Sequence, residues 1–194
     1  MEKLSFFLFL LIGGNFLLVV TCYPNGQVTA SCINMIPEHG ASAQTTLAPY
    51  NITASKNTYS PGEKITVTLQ GSDPFEGFLL QARRAGGSAA VGTFTITDAA
   101  NSQGLDCNGP NSAVSHKSSI GLTKIQATWV APSSSAGDLE FRATFVKSKI
   151  TFWVQVKSSQ VTTAPASSSS SFNPNIMLHL PLILFVSGIL MCYR

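Results

Sequence analysis

Two histidines and their neighbours are the side chains best suited to proton transfer in this sequence. His39 follows Glu38, and a carboxylate can orient an imidazole that acts as a general base. His116 follows Ser115, as in a serine–histidine dyad. Neighbouring residues of a strand point to opposite faces, so we expect the Ser115 and His116 side chains to diverge. No nucleophile motif accompanies either histidine, and we expect the protein not to be an enzyme.

The cysteines predict a disulfide rather than a metal or redox site. Of four cysteines, Cys22 and Cys192 lie in the apolar terminal regions discussed below. Cys32 and Cys107 remain, and neither belongs to a CxxC motif. In an oxidising compartment such a pair is expected to form a disulfide, so we predict Cys32–Cys107. The two histidines above add too few ligands for a metal site, and no cofactor is expected.

Arg142 and Trp153 are the predicted ligand-binding residues. Within the alternating segment 149–156, Trp153 falls on the polar face, opposite in phase to its apolar neighbours. If the hairpin turns through residues 147–148, Arg142 pairs with Trp153 and its guanidinium lies over the indole. An exposed cation–π pair of this kind is worth about 0.5–1 kcal/mol. We predict that this aromatic and basic patch contacts a glycan, a lipid or a protein; the alternative is that a loop covers Trp153.

Composition excludes several function classes. Only 11% of the 194 residues are charged, against about 25% in an ordinary soluble domain. The net charge is +3, and the 12 basic residues are scattered. Nucleic-acid binders usually concentrate Lys and Arg on one face, so no nucleic-acid partner is expected. The sequence contains neither a Gly-rich phosphate loop nor an HExxH motif, and its length suits one ordinary domain.

The N-terminus has the pattern of a secretory signal peptide. An apolar run from Leu4 to Val20 follows Met1-Glu2-Lys3, and Val20 and Cys22 are small residues at positions −3 and −1 of a cut after Cys22. We therefore predict a signal peptide over residues 1–22. An uncleaved anchor helix is the alternative.

The C-terminus predicts a membrane anchor. A Ser/Thr-rich linker over residues 158–175 leads into a hydrophobic tail over residues 176–194. This pattern is typical of a GPI-anchor signal, with attachment expected at one of Ser167, Ser168, Ser169, Ser170 and Ser171. A short single-pass helix is the alternative, although the apolar run is shorter than the usual 20 residues. The expected location is extracellular, at the cell surface.

The region from residue 23 to 157 has the period-two alternation of half-buried strands. Strands are predicted at residues 64–70, 78–84, 91–97, 113–117, 124–129, 139–145 and 149–156, with an edge strand at 51–55. Seven or more short strands over about 130 residues predict a single-domain, all-β antiparallel sandwich. Trp129 would anchor its core, and Arg83 and Arg84 would lie at a solvated strand end. Asn51 begins an N-glycosylation sequon.

Several motifs occur in order along this region: Tyr23-Pro24-Asn25-Gly26, Cys32, Met35-Ile36-Pro37-Glu38-His39-Gly40, Tyr59-Ser60-Pro61-Gly62-Glu63, Phe75-Glu76-Gly77-Phe78-Leu79-Leu80-Gln81-Ala82-Arg83, Cys107, Ala113-Val114-Ser115-His116, Trp129 and Ala131-Pro132. Together they resemble the reeler (reelin-type) domain, from Tyr23 to about Lys157. The resemblance implies an immunoglobulin-like β-sandwich that is secreted or displayed on the cell surface.

The resemblance also implies a function. Similar proteins include reelin, spondins, small insect defence proteins and ferric-chelate reductase-like proteins. In the last group the redox work belongs to additional haem-binding and cytochrome domains, so no ferric reductase activity is expected here. We expect a non-catalytic binding module in host defence, with an extracellular glycan, a microbial surface or a matrix protein as partner. The alternative is a structural or adhesive glycoprotein without a specific small ligand.

Overall fold

The computed structural model describes residues 23–165, which form an all-β structure. The only helical element in this range is a 3-10 turn at Thr29–Ser31, and no helix within it is long and apolar enough to span a bilayer. The strands are β1 (Tyr50–Ala54), β2 (Thr58–Tyr59), β3 (Lys64–Phe75), β4 (Gly77–Arg84), β5 (Thr93–Ile96), β6 (Ser102–Leu105), β7 (Ala113–His116), β8 (Leu122–Val130), β9 (Leu139–Ser148), β10 (Thr151–Lys157) and β11 (Thr162–Thr163).

The longer strands form two antiparallel sheets. The four-stranded sheet has the order β1-β3-β8-β5, and the five-stranded sheet has the order β10-β9-β4-β7-β6. A short parallel pair joins β11 to β2. The predicted antiparallel sandwich is confirmed, and each predicted strand has a counterpart. Strands β2, β6 and β11 were not predicted, because β2 and β11 have only two residues and the four residues of β6 include a single large apolar side chain, Leu105.

The main hydrophobic core lies between the two sheets, and Trp129 is its largest fully buried side chain. The Trp129 ring meets Tyr59 and Phe141 edge-on, with ring centroids 5.4 and 5.6 Å away. Its indole N–H donates a 2.8 Å hydrogen bond to the carbonyl oxygen of Val91. The predicted core role of Trp129 is therefore confirmed, because the polar end of the ring has a partner and the rest is enclosed.

Strand β4 departs from simple alternation because both of its faces are covered. Seven of its eight residues are buried. Every second side chain faces the four-stranded sheet, and the others, Leu79, Gln81 and Arg83, face the N-terminal segment, residues 23–49. Arg83 is only 1% exposed, so the prediction that it lies at a solvated strand end is wrong. A second apolar cluster forms under the segment from Met35, Leu79, Leu105 and Ala113.

The folded region extends past the predicted boundary at Lys157. Val161 is buried and pairs with Leu139, and β11 continues the fold to Thr163. The prediction of a linker from residue 158 therefore places its start too early. The predicted signal peptide (1–22), the rest of the linker with Ser167, Ser168, Ser169, Ser170 and Ser171, and the tail (176–194) lie outside the described residues.

Candidate functional site: a pocket under the N-terminal segment

The N-terminal segment is fastened to the outer face of the five-stranded sheet by the Cys32–Cys107 disulfide, as predicted, with the two Cα atoms 5.3 Å apart. The carbonyl oxygen of Cys32 accepts hydrogen bonds from Arg83 Nη2 (2.7 Å) and Gln81 Nε2 (3.1 Å). Burial lowers the pKa of Arg83 to about 10, and the nearby charge of Arg142 contributes, so Arg83 stays charged at neutral pH. A covalent bond and buried hydrogen bonds thus hold the same point of the segment.

Two further hydrogen bonds hold the segment beyond the disulfide. Thr144 Oγ1 donates a 2.6 Å bond to the carbonyl oxygen of Met35, and Gln155 Nε2 donates a 3.0 Å bond to that of Asn34. Met35 itself has a positive φ of 60°, and its side chain is fully buried against the sheet. The backbone of this stretch is therefore placed by the sheet beneath it.

A pocket of about 120 Å³ lies between the segment and the end of the sheet where β9 and β7 end and β4 begins. Its apolar walls include Val28, Met35, Leu79 and Val146. Both histidines of the described chain, His39 and His116, also line it. Glu38, Glu76, Ser119 and Lys149 also line it; all four are exposed, so the pocket opens to solvent beside them.

His116 is buried at the end of β7, where its ring packs over Gly77. Its Nδ1 accepts a 3.2 Å hydrogen bond from the backbone N–H of Phe78, and its Nε2 lies 3.3 Å from the carbonyl oxygen of Tyr23. A neutral ring protonated on Nε2 satisfies both contacts. Burial lowers the pKa of His116, while the backbone partners Phe78 and Tyr23 oppose the shift.

His39 lies on the opposite wall, in the segment itself. Its ring meets Phe152 edge-on with centroids 5.8 Å apart, and its Nδ1 is buried without a hydrogen-bond partner. Burial lowers the pKa of His39; the Lys149 backbone partly opposes this, and the Lys149 charge adds to the lowering. Both imidazoles therefore favour the uncharged state, and the charged groups that line the pocket are the exposed Glu38, Glu76 and Lys149.

The expected divergence of Ser115 and His116 is wrong, because Ser115 Oγ lies 3.2 Å from His116 Nδ1. The missing side chain at Gly77 lets the imidazole fold back over the strand end. The pair is nevertheless not set up as a nucleophile and base. Ser115 Oγ is fully buried and donates to the carbonyl oxygen of Phe78 (2.9 Å), and the Nδ1 lone pair is used by the Phe78 N–H.

The predicted pairing of Arg142 with Trp153 is also wrong. The β9–β10 hairpin turns at residues 149–150, and Trp153 pairs with Phe145, three residues from Arg142 along β9. A bulge then shifts the register between Trp153 and Val156, where Gln155 has a positive φ of 54°. Arg142 consequently pairs with Lys157. An extra residue in one strand was not visible in the alternation.

The surroundings of Arg142 and Trp153 differ from an open patch. Arg142 is 5% exposed and forms an ion pair with Glu140 at 2.6 Å. Burial alone would raise the pKa of Glu140, but Lys157 and Arg142 together hold it below its usual value. Trp153 packs edge-on against Tyr50, and its Nε1 donates to the carbonyl oxygen of Thr46. These contacts give both residues a role in packing.

Neither histidine was predicted as a site residue, although both were considered. The only sequence signal was that His39 and His116 are the two histidines between the terminal apolar regions. Their meeting depends on the N-terminal segment crossing the sheet, which local patterns do not reveal. Within residues 23–165, no group of three or more His, Cys, Asp or Glu side chains is arranged to hold a metal ion.

The fold and the site define a class of compact β-sandwich modules in which a disulfide ties the N-terminal segment over a small pocket. The sequence matches the family described as Reeler domain over residues 30–169, and the chain belongs to that family.

Relatives and solved structures agree with this assignment. The chain is 49% identical over 147 residues to "Putative ferric-chelate reductase 1" of Danio rerio, covering 74% of this chain but only 26% of that protein. It is 40% identical over 149 residues to "Putative defense protein 3" of Antheraea mylitta, covering 75% of this chain and 90% of that protein. The reelin-N domain of F-spondin shares the fold, with a TM-score of 0.55 at 23% identity, over 64% of this chain and 93% of that one.

Proposed function

We propose that the protein is a non-catalytic extracellular binding module in host defence that recognises a microbial or matrix surface ligand. The observation that carries the proposal is the pocket covered by the N-terminal segment, because concave pockets with mainly apolar walls and a few polar groups are the usual form of ligand sites. The similarity to "Putative defense protein 3" along nearly the whole of that protein supports the biological setting.

The contacts of Ser115 and His116 support a binding rather than a catalytic role. Activating the hydroxyl would require His116 Nδ1 to release the Phe78 N–H, and Ser115 Oγ to release the Phe78 carbonyl oxygen. Both are buried backbone groups, and leaving them unpaired costs about 1–3 kcal/mol each. Electron transfer is not proposed either. At about 120 Å³ the pocket is well below the 300–1,000 Å³ typical of small-molecule and cofactor sites, so it is too small for a haem and can hold only part of a ligand.

Attachment to the outer leaflet through the C-terminal tail is part of the proposal. Val161 pairs with Leu139 at the start of β9, whereas the pocket lies near Val146, seven residues further on. At about 3.4 Å per residue the pocket is roughly 24 Å from that end of the sandwich. The described part of the domain that follows Val161 therefore lies at the opposite end of the sandwich from the pocket. Release of the full chain from cells by phosphatidylinositol-specific phospholipase C tests the anchor; resistance would favour a single-pass helix.

Binding of the soluble domain to arrayed glycans, bacteria, lipopolysaccharide and matrix proteins tests the function. Residues 23–165 contain every strand described, both apolar clusters and the disulfide, and cooperative unfolding of the purified fragment is the check that it folds on its own. We expect Ser119→Trp, at the pocket mouth, to abolish binding. Thr95→Trp, on the exposed face of the four-stranded sheet, is the matched control. Binding that is equal in both variants would exclude the pocket as the recognition site.

A structural or adhesive role is the second candidate. The outer face of the four-stranded sheet is polar, and Asn51 of the sequon is exposed on its edge strand β1. A glycan there would be displayed without covering the core. No specific binding in the array, together with a glycosylated Asn51, would favour this candidate.

A further inference from the structure

Three exposed isoleucines are the immediate chain neighbours of residues that line the pocket. Ile36, Ile120 and Ile150 are 46%, 54% and 68% exposed. Each adjoins a residue that lines the pocket: Ile36 precedes Pro37, Ile120 follows Ser119 and Ile150 follows Lys149. Single exposed aliphatic residues are ordinary on protein surfaces. Here three separate segments each carry an exposed isoleucine next to a residue that lines the same pocket.

The interior suits an uncharged, slender group. Val28, Met35, Leu79 and Val146 supply aliphatic surface, and the two imidazoles favour their neutral forms. An apolar cavity of about 150 Å³ binds benzene, which has six carbons. By proportion, this pocket of about 120 Å³ accommodates about four to five carbons. A longer apolar group must continue across the isoleucines.

We propose that the pocket binds the end of an aliphatic chain of an amphiphile, with the following methylenes lying over Ile36, Ile120 and Ile150. The inference rests on the proposed binding function and names the ligand class of the same pocket. The mouth carries both signs of charge, since Glu38 and Glu76 lie there with Lys149. This arrangement complements an uncharged or zwitterionic head group better than one of high net charge.

Titration of residues 23–165 with n-alkanols from butanol to dodecanol, each below its solubility limit, tests directly whether the pocket binds an aliphatic chain. Burial of one methylene is worth about 0.8 kcal/mol, or about a fourfold gain in affinity. We expect that gain up to about five carbons, a smaller gain while the chain covers the isoleucines, and then a plateau. Methyl NMR shifts of Val28, Leu79 and Val146 locate the site. No saturable shifts, or affinity independent of chain length, would overturn the proposal.

Variants separate the pocket from its rim. Ser119→Trp should abolish alkanol binding. Ile120→Asp and Ile150→Asp should weaken decanol about three- to tenfold and leave butanol unchanged, because only the longer chain reaches the rim. Leu47→Asp is the matched control, since Leu47 is 96% exposed and does not line the pocket. Equal weakening by Leu47→Asp would contradict a specific role for the three isoleucines.

Two comparisons identify the source of the aliphatic chain. They also separate this proposal from the proposed function of surface recognition. Phosphatidylcholine vesicles that compete with decanol would indicate a membrane lipid, whereas competition by monomeric amphiphiles alone would indicate a free one. Saturation by a leucine-bearing peptide without any alkanol binding would overturn the proposal in favour of a protein anchor. If alkanols bind to the wild-type domain but Ser119→Trp still binds the arrayed ligands, the aliphatic site is supported. The proposed recognition of a surface ligand through the pocket would then be wrong.

Discussion

The Arg83 guanidinium donates a 2.7 Å hydrogen bond to the carbonyl oxygen of Cys32, one half of the disulfide that ties the N-terminal segment to the sheet. Its Nε also donates to Gln81 Oε1 (2.8 Å). Arg83 is 1% exposed, and both of these acceptors are uncharged. A planar guanidinium can serve two acceptors at fixed angles, which an ammonium group on a flexible stem cannot. The segment that roofs the pocket is therefore positioned from below by an arginine of β4.

We predict that Arg83→Met lowers the free energy of unfolding by about 2–3 kcal/mol, because hydrogen bonds from a charged buried donor are lost. Arg83→Lys should recover only part of the loss, since the fork geometry is absent. Arg84→Met is the control, because Arg84 is exposed. Urea unfolding with the disulfide intact provides the measurement, and equal effects at Arg83 and Arg84 would contradict the prediction.

Alternation in the sequence was sufficient to predict the two-sheet architecture, because inward and outward positions repeat within each strand. Trp129 was predictable for the same local reason, and the disulfide because Cys32 and Cys107 are the two cysteines between the terminal apolar regions. The burial of Arg83 was not, since it depends on cover from the N-terminal segment about 50 residues earlier in the chain. The Arg142–Trp153 pairing failed because the bulge near Gln155 and the true hairpin turn leave no clear mark in the alternation.

Gly26 is predicted to be essential for docking the start of the segment. It has a φ of +69°, and a Cβ there would overlap the carbonyl oxygen of His116. Gly26→Ala should cost about 3–5 kcal/mol, from the left-handed backbone and the overlap together. Gly62 has a similar φ of +74° with nothing near its Cβ position, so Gly62→Ala should cost only about 1 kcal/mol. Thermal unfolding of both variants separates the backbone strain from the overlap with His116. Equal losses of stability in the two variants would show that the close approach of Gly26 to the His116 carbonyl oxygen is unimportant.

The disulfide is predicted to supply a large share of the stability. Cys32 and Cys107 are 75 residues apart, and closing such a loop is worth about 4.5 kcal/mol in the chain-entropy account. Small domains have about 5–15 kcal/mol in total. The Cys32→Ala/Cys107→Ala double variant should therefore be marginally folded at 37 °C, as judged by circular dichroism. A loss below about 1 kcal/mol would show that the noncovalent contacts of the segment suffice.

Asn51 is predicted to carry an N-linked glycan. Its side chain is exposed on β1, and Ile52 beside it is buried, so a glycan would point away from the core. Protein secreted from eukaryotic cells should lose mass on treatment with peptide:N-glycosidase F. Asn51→Gln and Thr53→Ala should each abolish that shift, whereas Asn57→Gln, outside a sequon, should not. A single unglycosylated mass for the secreted wild-type protein would contradict the prediction.

Acidification is predicted to destabilise the domain through His116. Burial lowers the pKa of His116 below 6.5, His39 adds to the lowering, and the Phe78 and Tyr23 backbones oppose it. The unfolded chain therefore binds a proton at higher pH than the folded one, so this stability is complete above about pH 6.5 and is lost as pH falls from there through the folded pKa. His39 acts in the same direction, because its pKa is also lowered.

The test compares thermal unfolding between pH 7.5 and 5.0 for the wild type and His116→Asn, whose amide oxygen can replace Nδ1 as the acceptor for the Phe78 N–H. We expect the variant to be less stable at pH 7.5 but to lose less on acidification. The remaining dependence of the unfolding temperature on pH should decrease further when His39→Asn is added. The pKa values of Glu63, Asp98 and Glu140 are lowered from 4.5, 3.8 and 4.5. The stability that these carboxylates contribute is therefore lost only at pH values more acidic than the range of this test. An unchanged pH dependence in His116→Asn would show that the buried imidazole is not the responsible group.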